Sequence, residues 1–288
     1  MYTGKTKNLA VIGNPIIHSL SPVMQNAAIQ KAGCDYSYIA LNVKSEDLEK
    51  AVLGLRALNF SGFNVTIPHK SDILPLLDEV DEDARKLGAV NTVVNDNGKF
   101  VGYNTDVAGF IKGLKVIGFS PAGKKAVVLG AGGAAHAVIY GLRKKNISAV
   151  DIGVRNPKKA GAALAGLEKS SDICIYKWDS KEFTNKLVEA DLIVNTTPLG
   201  MYPDVDKMPP VDFDKLNKKA VVYDVIYTPG KTKFLQEAEK RGHIILNGEY
   251  MLVGQGAAAF KLWTNIDADE SIMQETLGNY LKLLEGRR

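Results

Sequence analysis

The chain has 288 residues, 45% of them apolar and 24% charged, and a formal net charge of +4. That length suits about two domains with buried cores, and the composition is that of a globular chain rather than a disordered or fibrous one. Lysine and arginine are interspersed with acidic residues, which argues against nucleic acid as a partner, and no apolar run approaches the roughly 18 residues of a membrane span. The opening residues lead into a strand-like segment instead of a signal sequence, so the expected setting is cytoplasmic. Cys34 and Cys174 lack CxxC spacing, and His18, His69, His136 and His243 lack ligand spacing, so neither a disulfide framework nor a metal site is expected.

Residues 8–13 form an apolar run ending in glycine, as in a parallel strand that delivers a loop to a site. In that loop Ser19 and Ser21 precede Pro22, a good first residue for a helix over 22–31. Their hydroxyls and the free amides suit a small carboxylate; alternatively Ser21 caps the helix. A strand at 36–43 and an amphipathic helix at 45–58 follow. The third strand, 62–67, puts Asn64 and Thr66 on one face and leaves Lys70 just past its carboxyl end, where open α/β sheets gather chemistry. A helix bearing Leu74, Leu77 and Val80 is expected next. Residues 88–95 and 100–103 read as a hairpin around Asp96-Asn97-Gly98, presenting Asn91 and Asp106 near strand ends, where such residues serve as ligands or as caps. A helix over 109–118 then leaves the first domain, with 119–124 as the linker.

The second half alternates strand and helix. Residues 126–138 read as a buried strand, a turn containing Gly130, Ala131, Gly132 and Gly133, and a helix opening on Ala134, the form of a dinucleotide-binding turn. A strand at 149–154 follows, ending in Arg155-Asn156-Pro157-Lys158-Lys159. Asp151 lies too early in it to hold a ribose hydroxyl, and the guanidinium at its end favours a 2′-phosphate, hence NADP. Lys158 and Lys159 either join that contact or are a solvated helix start. Further elements are a helix at 157–166, a strand near 173–176, a helix from Ser180, strands from 192 and over 220–227, a helix at 232–242 and a strand at 243–246. Helices over 251–263 and 272–284 close the chain.

Several motifs then fall together. Ser19-Leu20-Ser21-Pro22, Asn64-Val65-Thr66-Ile67-Pro68-His69-Lys70, Gly88-Ala89-Val90-Asn91-Thr92, Gly102-Tyr103-Asn104-Thr105-Asp106, Gly130-Ala131-Gly132-Gly133-Ala134-Ala135, Asn195-Thr196-Thr197-Pro198-Leu199-Gly200-Met201 and Met251-Leu252-Val253-Gly254-Gln255 stand in family order and spacing. By these the chain resembles the shikimate dehydrogenases over essentially its full length. The resemblance implies an α/β fold of two domains: a substrate-binding catalytic domain over 1–108, a Rossmann-like NADP-binding domain over 109–247, and C-terminal helices, 248–288, returning to the first. It implies an oxidoreductase acting on a CH–OH group, interconverting 3-dehydroshikimate and shikimate with NADPH in chorismate and aromatic amino-acid biosynthesis.

By the same resemblance Ser19, Ser21 and Tyr227 would bind the substrate carboxylate, and Asn64, Thr66, Asn91, Asp106 and Gln255 the ring hydroxyls. Lys70 and Asp106 would flank the reacting oxygen, with Lys70 passing the proton or acting mainly by orientation and charge. Gly130, Ala131, Gly132, Gly133 and Ala134 would hold the pyrophosphate, and Val154, Arg155, Asn156 and Lys159 the adenosine ribose. Thr196 belongs to a loop covering the cofactor, and Val225, Gly248 and Met251 would line the nicotinamide. Three positions depart from the family pattern: Asn156 replaces a threonine or serine, His136 an arginine, and Gln25 a histidine. A small-molecule substrate and a homodimer are expected, with NAD a weaker cofactor. The alternatives are an NAD-dependent quinate/shikimate dehydrogenase of quinate breakdown, and a non-catalytic NADP-binding sensor on the same fold.

Overall fold

The computed structural model describes residues 2–164 and 172–285. The chain forms two compact units, one made of Met1–Thr105 with Val253–Arg288 and the other of Asp106–Leu252. The first begins with β1 (Lys7–Gly13), α1 (Ser21–Lys31), β2 (Tyr36–Asn42), α2 (Leu48–Ala57) and β3 (Gly62–Val65). It continues with β4 (Glu79–Val80), α3 (Glu82–Leu87), β5 (Thr92–Asp96) and β6 (Lys99–Tyr103). The strands form one sheet in the order β2-β1-β3-β5-β6-β4. β1 pairs in parallel with β2 and β3, while β3–β5 and the hairpin β5–β6 are antiparallel. The alternation in β5 and β6 puts Val93 and Phe100 inside, where Phe100 meets Phe63 edge to face at 5.3 Å.

The helix expected over Leu74, Leu77 and Val80 is absent: the segment holds a single 3-10 turn, Leu74–Leu76, and then β4. Pro75 lacks the N–H a longer helix would need, and the chain is drawn out because Asp78 exchanges backbone and side-chain hydrogen bonds with Phe100. The acidic stretch beyond it starts α3, where the Asp81 side chain accepts from the Asp83 N–H.

The second unit opens with α4 (Asp106–Val116), which starts three residues before the expected helix and lies wholly within this unit, so the expected linker at 119–124 does not separate the units. Val107, Phe110 and Leu114 recur at helical spacing and are buried, which carries the helix back to Asp106. Then come β7 (Lys125–Leu129), α5 (Gly133–Lys144), β8 (Ala149–Val154), α6 (Pro157–Leu164), β9 (Ile173–Lys177) and α7 (Lys181–Glu189). The last two residues of the helix expected at 157–166 lie outside the described residues. β10 (Leu192–Asn195), β11 (Val221–Asp224), α8 (Lys233–Lys240), β12 (Ile244–Leu246) and α9 (Glu249–Thr264) complete it, α9 running on into the first unit.

All six strands are parallel, in the order β12-β11-β10-β7-β8-β9. The chain builds outward from β7 on one side and then restarts at β10 on the other. Leu129 and Asn195, the last residues of β7 and β10, are register partners at that reversal. Open α/β sheets bind ligands outside the carboxyl ends of their strands at such a switch point. Residues 126–129 are all buried, as a strand covered on both faces requires.

In the first unit the end of α9 and α10 (Glu270–Glu285) complete the fold, with α10 packed on α1. The Trp263 indole donates to the Val93 carbonyl at 2.9 Å and occupies space left by Gly62, whose Cβ would collide with the indole nitrogen.

Candidate active site

In the first unit a buried polar network lies behind the expected substrate residues. Asn64 donates through Nδ2 to the Asn91 carbonyl at 2.9 Å and to Thr92 Oγ1 at 3.0 Å. Its Oδ1 accepts from the Tyr38 hydroxyl at 2.6 Å. Asn91 in turn accepts the Thr105 N–H at 2.7 Å and donates to Thr105 Oγ1 at 3.0 Å, which anchors the residue immediately before Asp106. With both Nδ2 hydrogens engaged, Asn64 has a lone pair of Oδ1 left, so it suits a hydroxyl donor.

Ser21 is the first residue of α1, whose N-cap position is Leu20 with no side-chain cap, so its hydroxyl is not spent on capping. Burial pushes the Tyr38 phenol far above its ordinary pKa, a rise that Ser21 partly offsets. Ser19 Oγ accepts the Ser21 N–H at 3.4 Å. Thr66 is half-buried, and its methyl fills the place a Cβ on Gly13 would take.

Lys70 is half-buried on a loop held at several points. Its carbonyl accepts the Val90 N–H at 2.8 Å, and the buried His69 ring bonds through Nε2 to the Val43 carbonyl at 2.7 Å. Gln255 is buried on α9, next to Gly256, whose carbonyl accepts from Gln25 Nε2 at 2.9 Å. Gln25 thus ties α1 to the turn of α9 that bears Gln255.

In the second unit Gly130 has φ +106°, and a Cβ there would lie 2.8 Å from Thr196 Oγ1. Only glycine fits that close turn. Thr196 donates its hydroxyl to the Leu129 carbonyl at 2.7 Å, joining the ends of β7 and β10. Gly132 and Gly133 differ: among the described residues a Cβ on either would meet nothing within 4 Å. Gly132 is the N-cap of α5 and supplies no side-chain bond, so the first N–H groups of a 12-residue helix face an open cradle between Ala131 and Ala134. A dinucleotide pyrophosphate fits such a place, where helix N–H groups and dipole meet negative charge.

Val154 is buried at the end of β8, and Arg155, Asn156, Lys158 and Lys159 beyond it are exposed. Asn156 Oδ1 accepts the Lys159 N–H at 3.1 Å, so that side chain starts α6. Asp151 lies buried within β8, paired at 3.7 Å with Lys186, away from the strand end. Burial lowers the pKa of the His136 ring. Gly248 serves internal packing, since a Cβ there would collide with the Val225 carbonyl. Met251 is buried beside it, and Tyr227 is half-buried with its phenol pKa raised by desolvation. Sequence reasoning missed Tyr38, Thr105, Asn195, Asp224 and Thr232 as network members; a lone aspartate closing the apolar run Val221-Val222-Tyr223 was the available signal.

A six-stranded parallel sheet with a glycine turn at its switch point defines the second unit as a dinucleotide-binding α/β fold of the oxidoreductase type. The family model described as the shikimate dehydrogenase substrate binding domain matches residues 11–93, and that of the shikimate 5′-dehydrogenase C-terminal domain matches 248–277. The chain is 42% identical to a shikimate dehydrogenase (NADP+) of Desulforamulus reducens over 95% of each chain. A shikimate dehydrogenase solved in complex with NADP+ superposes with TM-score 0.90 at 40% identity, covering 98% of both chains. The Thermus thermophilus enzyme, solved with NADP(H) and shikimate, gives TM-score 0.85 at 36% identity over 95% of this chain and 99% of its own. The chain belongs to the shikimate dehydrogenase family.

Proposed function

We propose that this protein catalyses the reversible reduction of 3-dehydroshikimate to shikimate with NADPH, a step toward chorismate and the aromatic amino acids. The observation that carries the reading is the open cradle at Gly132 and Gly133 in a chain of this family. Among the described residues no neighbour requires glycine there, so the missing side chains make room for a ligand.

The unit containing Ser19 to Thr105 takes the substrate, and the unit of Asp106–Leu252 holds the dinucleotide, with Gly130 to Ala134 on the pyrophosphate and Val154, Arg155, Asn156 and Lys159 around the 2′-phosphate ribose. Thr196, Val225, Gly248 and Met251 attend the nicotinamide end. When bound, NADPH supplies the hydride. Ser19 and Ser21 offer hydroxyl donors to the carboxylate, a role Tyr227 shares, and Asn64, Thr66, Asn91 and Gln255 sort the ring hydroxyls. Lys70 places a positive charge and a proton at the oxygen that gains negative charge on reduction, and takes that proton back in the reverse direction. Asp106 accepts a hydrogen bond from the same hydroxyl and keeps it oriented. A cytoplasmic homodimer that binds no nucleic acid completes the proposal.

Steady-state kinetics with the four pairings of shikimate or quinate and NADP or NAD test it. Shikimate with NADP is expected to give the highest kcat/KM. No NADPH absorbance above background with that pair would overturn the reading and favour a binding protein.

A further inference from the structure

Asp224 ends β11, is fully buried, and has no role in the reaction described above. Hydrogen-bond directions around it follow from groups that can only donate. The Ile226 N–H reaches its Oδ1 at 3.1 Å. Asn195 uses its own Oδ1 to accept the Thr197 N–H at 3.0 Å, so its amide nitrogen faces Asp224 and donates at 3.1 Å. Thr232 accepts the Leu235 N–H as the cap of α8 and sends its hydroxyl hydrogen to Asp224 Oδ2 at 2.6 Å. Three hydrogens therefore converge on one buried carboxylate, from the end of β10, the loop after β11 and the start of α8.

Those connections reach the expected cofactor residues. Asn195 also accepts the Thr197 hydroxyl at 2.7 Å, holding the turn next to Thr196. The Val225 N–H bonds the Asn195 carbonyl at 3.0 Å, and the Gly248 N–H bonds the Ile226 carbonyl at 3.0 Å, which seats the start of α9. By contrast, Gly130 to Ala134 and Arg155 stand at the ends of β7 and β8 and make none of these bonds.

We propose that Asp224 is a positioning residue that fixes the loops bearing Thr196, Val225 and Tyr227, an inference that rests on the proposed dehydrogenase reaction. It acts on the nicotinamide end and leaves the adenosine end alone. A misplacement of about 1 Å at reacting groups costs on the order of 100-fold in rate.

The test compares Asp224→Ala, Asp224→Asn and Thr232→Val with the wild type, titrating NADPH and adenosine 2′,5′-bisphosphate and measuring kcat/KM for shikimate. Asp224→Ala is expected to weaken NADPH at least tenfold and lower kcat/KM about 100-fold, while the bisphosphate binds within twofold of wild type. Asp224→Asn keeps an acceptor for Asn195 and Ile226 and turns its amide toward Thr232, so it should recover to within about tenfold of wild type. Should Asp224→Ala fail to fold, Thr232→Val, which removes one donor to Asp224 together with the α8 cap at nearly constant volume, must show the same selective loss in smaller measure. The inference is overturned by NADPH binding and turnover within twofold of wild type in the folded variants, by equal weakening of both nucleotides, or by an asparagine variant no better than the alanine one. A wild type that binds NADPH without turning over shikimate would instead overturn the reaction, and the nucleotide titrations would still decide the role of Asp224.

Discussion

Gly130 and Gly132 sit two residues apart in one turn, and an alanine should have opposite consequences at each. At Gly130 the backbone is at φ +106°, and the new Cβ would lie 2.8 Å from Thr196 Oγ1 and 3.0 Å from Thr197 Cγ2. The first of these atoms cannot retreat freely, because it holds the Leu129 carbonyl at 2.7 Å. A left-handed backbone costs an L-residue about 1–2 kcal/mol and overpacking adds roughly 1–3 kcal/mol, so Gly130→Ala should lose about 2–5 kcal/mol of stability. At Gly132 the backbone is extended, with φ −91° and ψ −171°, and no described atom lies within 4 Å of the added Cβ. Gly132→Ala should fold as well as the parent, or gain about 0.4–1 kcal/mol from a stiffer unfolded chain. Its methyl would stand where a pyrophosphate approaches the helix N–H groups. Loss of one or two charge-assisted hydrogen bonds, about 2–3 kcal/mol, weakens NADPH roughly 30- to 150-fold. Thermal melting and NADPH fluorescence titration separate the two effects. A Gly132→Ala protein that melts normally and binds NADPH within twofold of wild type would refute the reasoning, since the cradle would then not meet the phosphates.

Lys70→Ala should lower kcat by a few orders of magnitude with little change in the shikimate KM, because its contribution is made in the transition state; unaltered turnover would remove it from the mechanism. Arg155→Asp should raise the KM for NADP far more than that for NAD, and equal effects in steady-state kinetics would show that the guanidinium does not meet the 2′-phosphate. Burial raises the Asp224 carboxyl from 3.8 to about 6. The folded protein therefore holds this proton more tightly than the unfolded chain: the favourable contribution is complete below about pH 4 and is lost as pH rises to about 6, amounting to about 3 kcal/mol. Urea unfolding between pH 4 and 7 should show that loss in wild type and not in Asp224→Asn; parallel profiles would contradict it.

The regular elements were legible because their signals are local. The buried run, glycine turn and small-residue helix start of residues 126–138 appear as β7, the turn at Gly130 and α5, and the hairpin expected from residues 88–95 and 100–103 appears as β5–β6, its first strand starting at Thr92. The helix expected at Leu74 failed for the opposite reason. Its apolar spacing was correct, but Asp78 is drawn into pairing with Phe100, a partner 22 residues away that no periodicity reveals. The candidate site divides in the same way. Residue types near strand ends, such as Asn64, Lys70 and Arg155, could be singled out from sequence, and family motifs supplied their expected roles.

What sequence alone determined is the kind of group delivered to each strand end, since side-chain chemistry and strand period travel with the chain. What the tertiary structure decided is how those groups are spent. Tyr38 and Asn64 are separated by 26 residues, Asn195 and Asp224 by 29, yet each pair shares a buried hydrogen bond. A buried donor or acceptor must find a partner wherever the fold brings one within reach, and that reach is a property of packed strands rather than of neighbouring letters.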